Sequence, residues 1–113
     1  SCQEKKEQID NGEDLENTYI QEIGSLYYPE SMNMRPVKIG PREEKNDYLI
    51  EIINSDSLDI DKNKTSTAIQ NIAFLYKKHL EVNNRNPENI IVIIRQKKMP
   101  IKRYKFDVER LTE

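Results

Sequence analysis

The sequence predicts a two-layer α+β domain with the element order αββαββ, a four-stranded mixed sheet carrying two helices on one face. Three observations lead there. Two apolar runs rich in β-branched residues, Tyr48-Leu49-Ile50-Glu51-Ile52-Ile53 and Ile90-Ile91-Val92-Ile93-Ile94, read as strands covered on both sides. Between them Ala68, Ile69, Ile72, Ala73, Tyr76 and Leu80 recur at three- and four-residue spacing, the signature of a helix with one apolar stripe. A helix joining two such strands makes a βαβ unit with parallel strands. The chain has 113 residues, enough for one domain and one modest core.

The elements follow in order. Residues 1–12 are polar and contain no core-forming run, which predicts a disordered tether. A single domain is expected over 13–113. Glu13 to Tyr28 reads as the first helix, with Leu15, Tyr19, Ile23, Leu26 and Tyr27 along one stripe. Asp10 or Asn11 can cap its start, Gly24 weakens it by about 1 kcal/mol relative to Ala, and Pro29 ends it. Ser31 to Gly40 reads as irregular and then as a short strand, in which Val37 and Ile39 alternate with Lys38. Pro36 confines that strand to an edge or to its own beginning. A charged loop leads to the strand Asp47–Asn54, expected to pair antiparallel with the first as a hairpin.

The loop 55–61 is rich in turn formers and acids. Alternation of Asp59, Asp61 and Asn63 evokes a calcium loop, but the required glycine position falls on Lys64 and the closing glutamate position on Gln70, so no metal site is expected. Thr65 to Asn83 is the central helix, stopped by Asn83-Asn84-Arg85-Asn86-Pro87. Asn89–Arg95 is the second core strand. The end of the chain admits two readings. Ile101, Tyr104, Val108 and Leu111 have helical spacing; Tyr104, Phe106 and Val108 alternate as a strand. Only the strand places Phe106 in the core, so a strand is expected.

Composition bounds the function. Hydrophobic residues make up 35% and charged residues 34%, and no apolar run approaches the ~18 residues of a membrane-spanning helix. The net charge of -2 hides an uneven distribution. Residues 1–61 hold 6 Lys+Arg against 15 Asp+Glu, and residues 62–113 hold 12 against 5. Either the two stretches pack against one another, the favoured reading, or an acidic tail accompanies a basic binding face. The single histidine, His79, has no cysteine or histidine partner in sequence and reads as a packed or surface residue. There is no histidine pair, CxxC motif, GxSxG elbow or glycine-rich phosphate loop, and three glycines cannot build a nucleotide cradle. The expectation is a domain that is not an enzyme and holds no cofactor.

The one cysteine is Cys2, at the head of the polar tether, so no intramolecular disulfide can form. A cysteine followed by such a tether resembles the mature start of a bacterial lipoprotein, in which signal peptidase cleaves before the cysteine that then carries the lipid. Ser1 matches the small residue before that cleavage point. Gln3-Glu4-Lys5-Lys6-Glu7 resembles the export tags of surface lipoproteins in some gram-negative bacteria, and Asp56-Ser57-Leu58 resembles an O-glycosylation tripeptide of envelope proteins. These resemblances imply lipidation of Cys2 and a domain tethered in the cell envelope, periplasmic or surface-exposed.

One patch invites recognition. Arg95, Lys97, Lys98, Lys102, Arg103, Tyr104 and Lys105 cluster around Met99-Pro100. Edge protection of a hairpin by lysines explains such a cluster structurally. Functionally it predicts a surface for an acidic protein, an anionic lipid head group or an envelope polymer, and the leading reading is a protein-binding accessory or immunity-type inhibitor lipoprotein. The alternative is a cytoplasmic nucleic-acid-binding module using residues 95–105, with Tyr104 as a stacking platform. Were the chain end helical, strand-helix-strand-helix from Tyr48 onward would be similar to the periplasmic domain of ExbD/TolR energy-coupling proteins, whose membrane helix with its acidic residue this sequence lacks.

Overall fold

The computed structural model describes residues 18–38, 41, 46–55, 58 and 63–111. Cys2 and the tether, the first residues of the first helix, the loop following Lys38 apart from Pro41, and most of the acidic loop 55–61 lie outside the described residues. Helix α1 is Thr18–Tyr27, β1 Pro29–Lys38, β2 Asn46–Ser55, α2 Asn63–Val82, β3 Pro87–Arg95 and β4 Lys102–Asp107; a single 3-10 turn, Val108–Arg110, follows. The order is the expected αββαββ. The sheet runs β1-β2-β3-β4, with β2 and β3 parallel and each outer pair antiparallel.

Register assigns every side chain to a face. One set of rows is Pro36, Tyr48, Ile90 and Phe106, then Met34, Ile50, Val92 and Tyr104, then Met32, Ile52, Ile94 and Lys102. Both helices lie against these rows. Ile20 and Ile23 of α1 join Ile69, Ile72, Ala73, Tyr76 and Leu80 of α2 in one cluster with the apolar residues of β2 and β3. Ile23, Ile50, Ile52, Ile72, Ile90, Val92 and Ile94 are all fully buried. Each contributes about 1.5–3 kcal/mol by leaving water, which offsets the entropy of ordering the chain.

The helix ends use two related caps. In α2, Asn84 adopts the left-handed conformation at φ 64, its N–H donates to the Glu81 carbonyl at 3.1 Å, and the Arg85 N–H donates to the Leu80 carbonyl at 2.8 Å. This is the double-bonded Schellman ending, with asparagine at a position it tolerates well. In α1, Tyr28 takes the left-handed position at φ 46 and its N–H donates to the Gly24 carbonyl at 2.9 Å. Pro29 then opens β1, where its missing N–H and fixed φ are tolerated at the first residue of a strand.

Two expectations are revised. Residues 31–36 are not irregular: β1 is ten residues long, paired with β2 from Pro29 opposite Ser55 to Lys38 opposite Asp47, with one irregularity between Pro36 and Lys38. Ser, Met, Asn and Arg are weak strand formers, and the pairing surface of β2 overrides that local preference. The chain end forms the expected strand only as far as Asp107. Val108 and Leu111 reach the core through the 3-10 turn, whose Glu109 N–H is capped by the Asp107 carboxylate at 2.9 Å. No terminal helix forms over 102–107, so the condition for similarity to ExbD/TolR proteins is not met.

Gly24 sits in mid-helix for no steric reason. A Cβ there would meet the Met32 Cε at 4.0 Å, an ordinary contact. Gly24→Ala is expected to raise stability by about 1 kcal/mol through helix propensity, read as an increased urea midpoint with unchanged slope.

Candidate functional site

The second face of the sheet carries no helix among the described residues. Its rows are Arg35, Leu49, Ile91 and Lys105; then Asn33, Glu51, Ile93 and Arg103; then Ser31, Ile53 and Arg95. A fourth row, Lys38, Asp47, Asn89 and Asp107, closes the end at which β2 and β3 begin. The arrangement follows from strand alternation. The central strands are apolar at nearly every position, so they present Leu49, Ile53, Ile91 and Ile93 away from the helices as well as toward them. The outer strands are polar on this side. The result is an apolar centre flanked by cations on opposite edges of the sheet, spaced across three strand intervals of about 4.8 Å.

Leu49 and Ile91 are nonetheless only 5% and 2% exposed. Arg35 and Lys105 flank them in the same row, and long cationic side chains cover apolar neighbours with their stems while keeping their charges in water. Ile53 and Ile93 remain partly open.

Glu51 is the buried acid in this field. Asn33 Nδ2 donates to Glu51 Oε1 at 3.0 Å and Arg95 Nε donates to Glu51 Oε2 at 2.7 Å. The Asn33 hydrogen bond, then that of Arg95, hold its carboxyl below the ordinary value of 4.5, with the charges of Arg95 and Arg35 acting in the same direction against the cost of burial. A bridge from Glu51 to Arg95 joins the stretches 1–61 and 62–113 at one point. Asn89 Nδ2 likewise donates to Asp47 Oδ1 at 3.0 Å. With Glu51 occupied, Arg35, Arg103 and Lys105 dominate the potential over the three rows.

The sequence-predicted cluster is divided by this geometry. Arg95, Arg103 and Lys105 belong to the open face. Lys102 and Tyr104 belong to the helix face, where Tyr104 is half-buried against the core. Lys97 and Lys98 sit in the turn between β3 and β4, exposed. Arg35 joins the face from β1, where pairing with β2 makes it alternate with Met32 and Met34. Cys2 lies outside the described residues.

Elsewhere the groups are structural. A cleft of about 310 Å³ between β1 and α2 is floored by Tyr48, Tyr76 and Leu80. Burial pushes the Tyr76 hydroxyl far above its ordinary pKa, so it stays protonated and cannot serve as a base near neutrality. The ring of His79 stacks beside that of Tyr76 at 6.3 Å between centroids. Among the described residues no group of three His, Cys, Asp or Glu could hold a metal ion, and no helix is long and apolar enough to cross a membrane.

The Glu51 pairing sets a pH dependence. A carboxyl whose folded pKa lies below its unfolded value contributes stability that is full above about 4.5 and disappears as pH falls through the folded pKa. Thermal midpoints of Glu51→Gln and wild type should therefore differ most near neutrality and converge on acidification below pH 4.5. A constant offset down to the acid limit would contradict the assignment.

No family model, curated protein or solved structure matches the chain.

Proposed function

We propose that the domain is a non-catalytic binding module that docks an acidic protein partner on its open sheet face and is held in a bacterial envelope through lipid on Cys2. One observation carries the docking half: a sheet face that bears no helix among the described residues, with Ile53 and Ile93 partly exposed and the cations Arg35, Arg95, Arg103 and Lys105 around them, the only carboxylate in those three rows being already hydrogen-bonded. Carboxylates of a partner would find guanidinium groups able to donate two parallel hydrogen bonds, and its apolar residues would find Ile53 and Ile93. Accessory and immunity-type proteins act by such occlusion and need no reactive group. Lipid anchoring rests on Cys2 and the polar residues after it.

A nucleic-acid module is the competing reading. Strand alternation weighs against it, because Tyr104 points to the core while Arg103 and Lys105 point to the open face. A basic surface without a stacking ring retains phosphate attraction but lacks the base platform that single strands use.

Two experiments test the proposal. A photo-crosslinking residue at Ile93, compared with one at Glu81 on the exposed side of α2, should capture an acidic protein from native envelopes only at the first position. Arg103→Glu with Lys105→Glu should cut that capture at least about tenfold, as should raised salt. Equal capture at both positions, or capture of RNA or DNA, would sink the docking reading. Separately, mass spectrometry of the product from native membranes should show a diacyl or triacyl addition at Cys2 that Cys2→Ala abolishes; an unmodified soluble product would remove the anchor.

A further inference from the structure

At the end of the sheet where β2 and β3 finish, a cleft of about 420 Å³ lies between the end of α1 and the β3–β4 turn, lined by Tyr28, Glu30, Asn54, Ser55, Gln96, Lys97 and Met99. Its frame is unusually fixed. The Ser55 N–H donates to Gln96 Oε1 at 2.8 Å, while Gln96 Nε2 donates to the Ser55 carbonyl at 2.9 Å and to the Leu58 carbonyl at 3.2 Å. One side chain thus continues the β2–β3 ladder past the last residue of β3. The Ser55 hydroxyl donates to the Tyr27 carbonyl and ties the end of α1 to the same point. Asn54 completes the frame: its Nδ2 donates to Glu30 Oε1 at 2.6 Å and its Oδ1 accepts the Lys97 N–H at 3.0 Å.

Within this frame the amides are all committed and the charges are not. The Asn54 amide holds the Glu30 carboxylate on one side and the backbone N–H of Lys97 on the other, and among the described residues no hydrogen bond or ion pair engages the second Glu30 oxygen or the Lys97 ammonium. Tyr28 is 67% exposed and Met99 36% exposed, so an aromatic ring and a thioether border the same space. Backbone strain gathers here too: Tyr28, Asn54 and Lys98 have φ of 46, 52 and 62. Glycine would satisfy the positions of Tyr28 and Lys98 without strain, and the exposed side chains recover little by packing. Backbone outliers of this kind cluster at active sites and ligand clamps.

We propose that this cleft binds a small zwitterion of the amino-acid or short-peptide class, with its ammonium on Glu30, its carboxylate on Lys97 and its apolar side chain against Tyr28 and Met99. Glu30 and Lys97 both line the cleft, so a ligand that carries both an ammonium and a carboxylate group can engage the two charges at once. The volume falls within the ordinary range for small-molecule sites, about 300–1,000 Å³. The site is separate from the open sheet face and does not depend on docking there.

Calorimetric titration of the intact chain with free leucine, free phenylalanine and the dipeptide glycyl-leucine, each beside its N-acetyl and its amide derivative, tests the assignment. At least one unblocked ligand should bind, and blocking either end should weaken it about tenfold, since each block removes one charge-assisted contact. Stronger binding of the dipeptide would identify peptides as the source, stronger binding of a free amino acid would identify monomers, and either supports the site. Glu30→Gln and Lys97→Met should each lose about tenfold with unchanged circular dichroism. Tyr28→Gly should raise the melting temperature by about 3 °C while weakening the ligand. The proposal fails if no unblocked ligand produces heat at about 10 mM, a level that detects even millimolar affinity. It fails equally if blocked and unblocked forms bind alike, or if binding is indifferent to Glu30→Gln and Lys97→Met.

Discussion

The parallel pairing of β2 with β3 is the constraint on which the rest of the structure depends. Parallel neighbours cannot be joined by a tight turn, so the chain between them must cross over, and α2 is that crossover. Once α2 lies on one face, Tyr48, Ile50, Ile52, Ile90, Val92 and Ile94 have a partner layer and the core is defined. The outer strands then add by hairpins, which is why the spatial order follows the chain order. Helix α1 lies beside α2, over the β1 side of the sheet, with Gly24 near Met32.

The same pairing creates the functional question. Strands this apolar are usually covered on both sides. Among the described residues their second face carries no helix, and Arg35 and Lys105 flank Leu49 and Ile91 in one row, where long stems can screen apolar surface. Glu51 occupies a position where an aliphatic residue would prolong the run. Its two hydrogen bonds to Asn33 and Arg95 make that position tolerable, and they place an occupied carboxylate in the middle of a cationic surface. In the proposed docking, carboxylates of a partner would complement the charge that Glu51 leaves on those cations. This links a stability feature, the low carboxyl pKa, to the charge character of the face.

How much of this was legible in the sequence depends on which force decides each element. Central strands and helix were plain because apolar spacing alone fixes them. The first strand was hidden from Ser31 to Pro36, where no residue favours a strand and only the presence of β2 makes one. Missing it meant missing Arg35, which enters the face by alternating with Met32 and Met34. The basic cluster was visible as a list, but a list has no faces. Counting by twos from Ile93 opposite Arg103 separates Arg103 and Lys105 from Lys102 and Tyr104, and that register follows from the turn geometry rather than from composition. Gln96 was not legible at all. A single glutamine after a strand carries no pattern, and its role appears only when Ser55 and Leu58 stand within reach of its amide.

The two helix ends offer an internal comparison. Both α1 and α2 stop on a left-handed residue, yet α2 uses Asn84 and α1 uses Tyr28. For a residue with a Cβ that conformation costs about 1–2 kcal/mol, and asparagine reduces the cost through its own short polar side chain while tyrosine does not. The fold therefore contains its own example of the better solution and does not use it at Tyr28. Lys98 repeats the choice in the turn between β3 and β4, where the Met99 N–H donates to the Gln96 carbonyl at 3.3 Å and glycine would sit without strain. Tyr28 borders the cleft directly and Lys98 stands between two residues that line it, Lys97 and Met99. Capping physics explains why a left-handed residue is needed at both places and does not explain tyrosine or lysine as that residue. The ligand proposed for the cleft would give the Tyr28 side chain a role that capping does not.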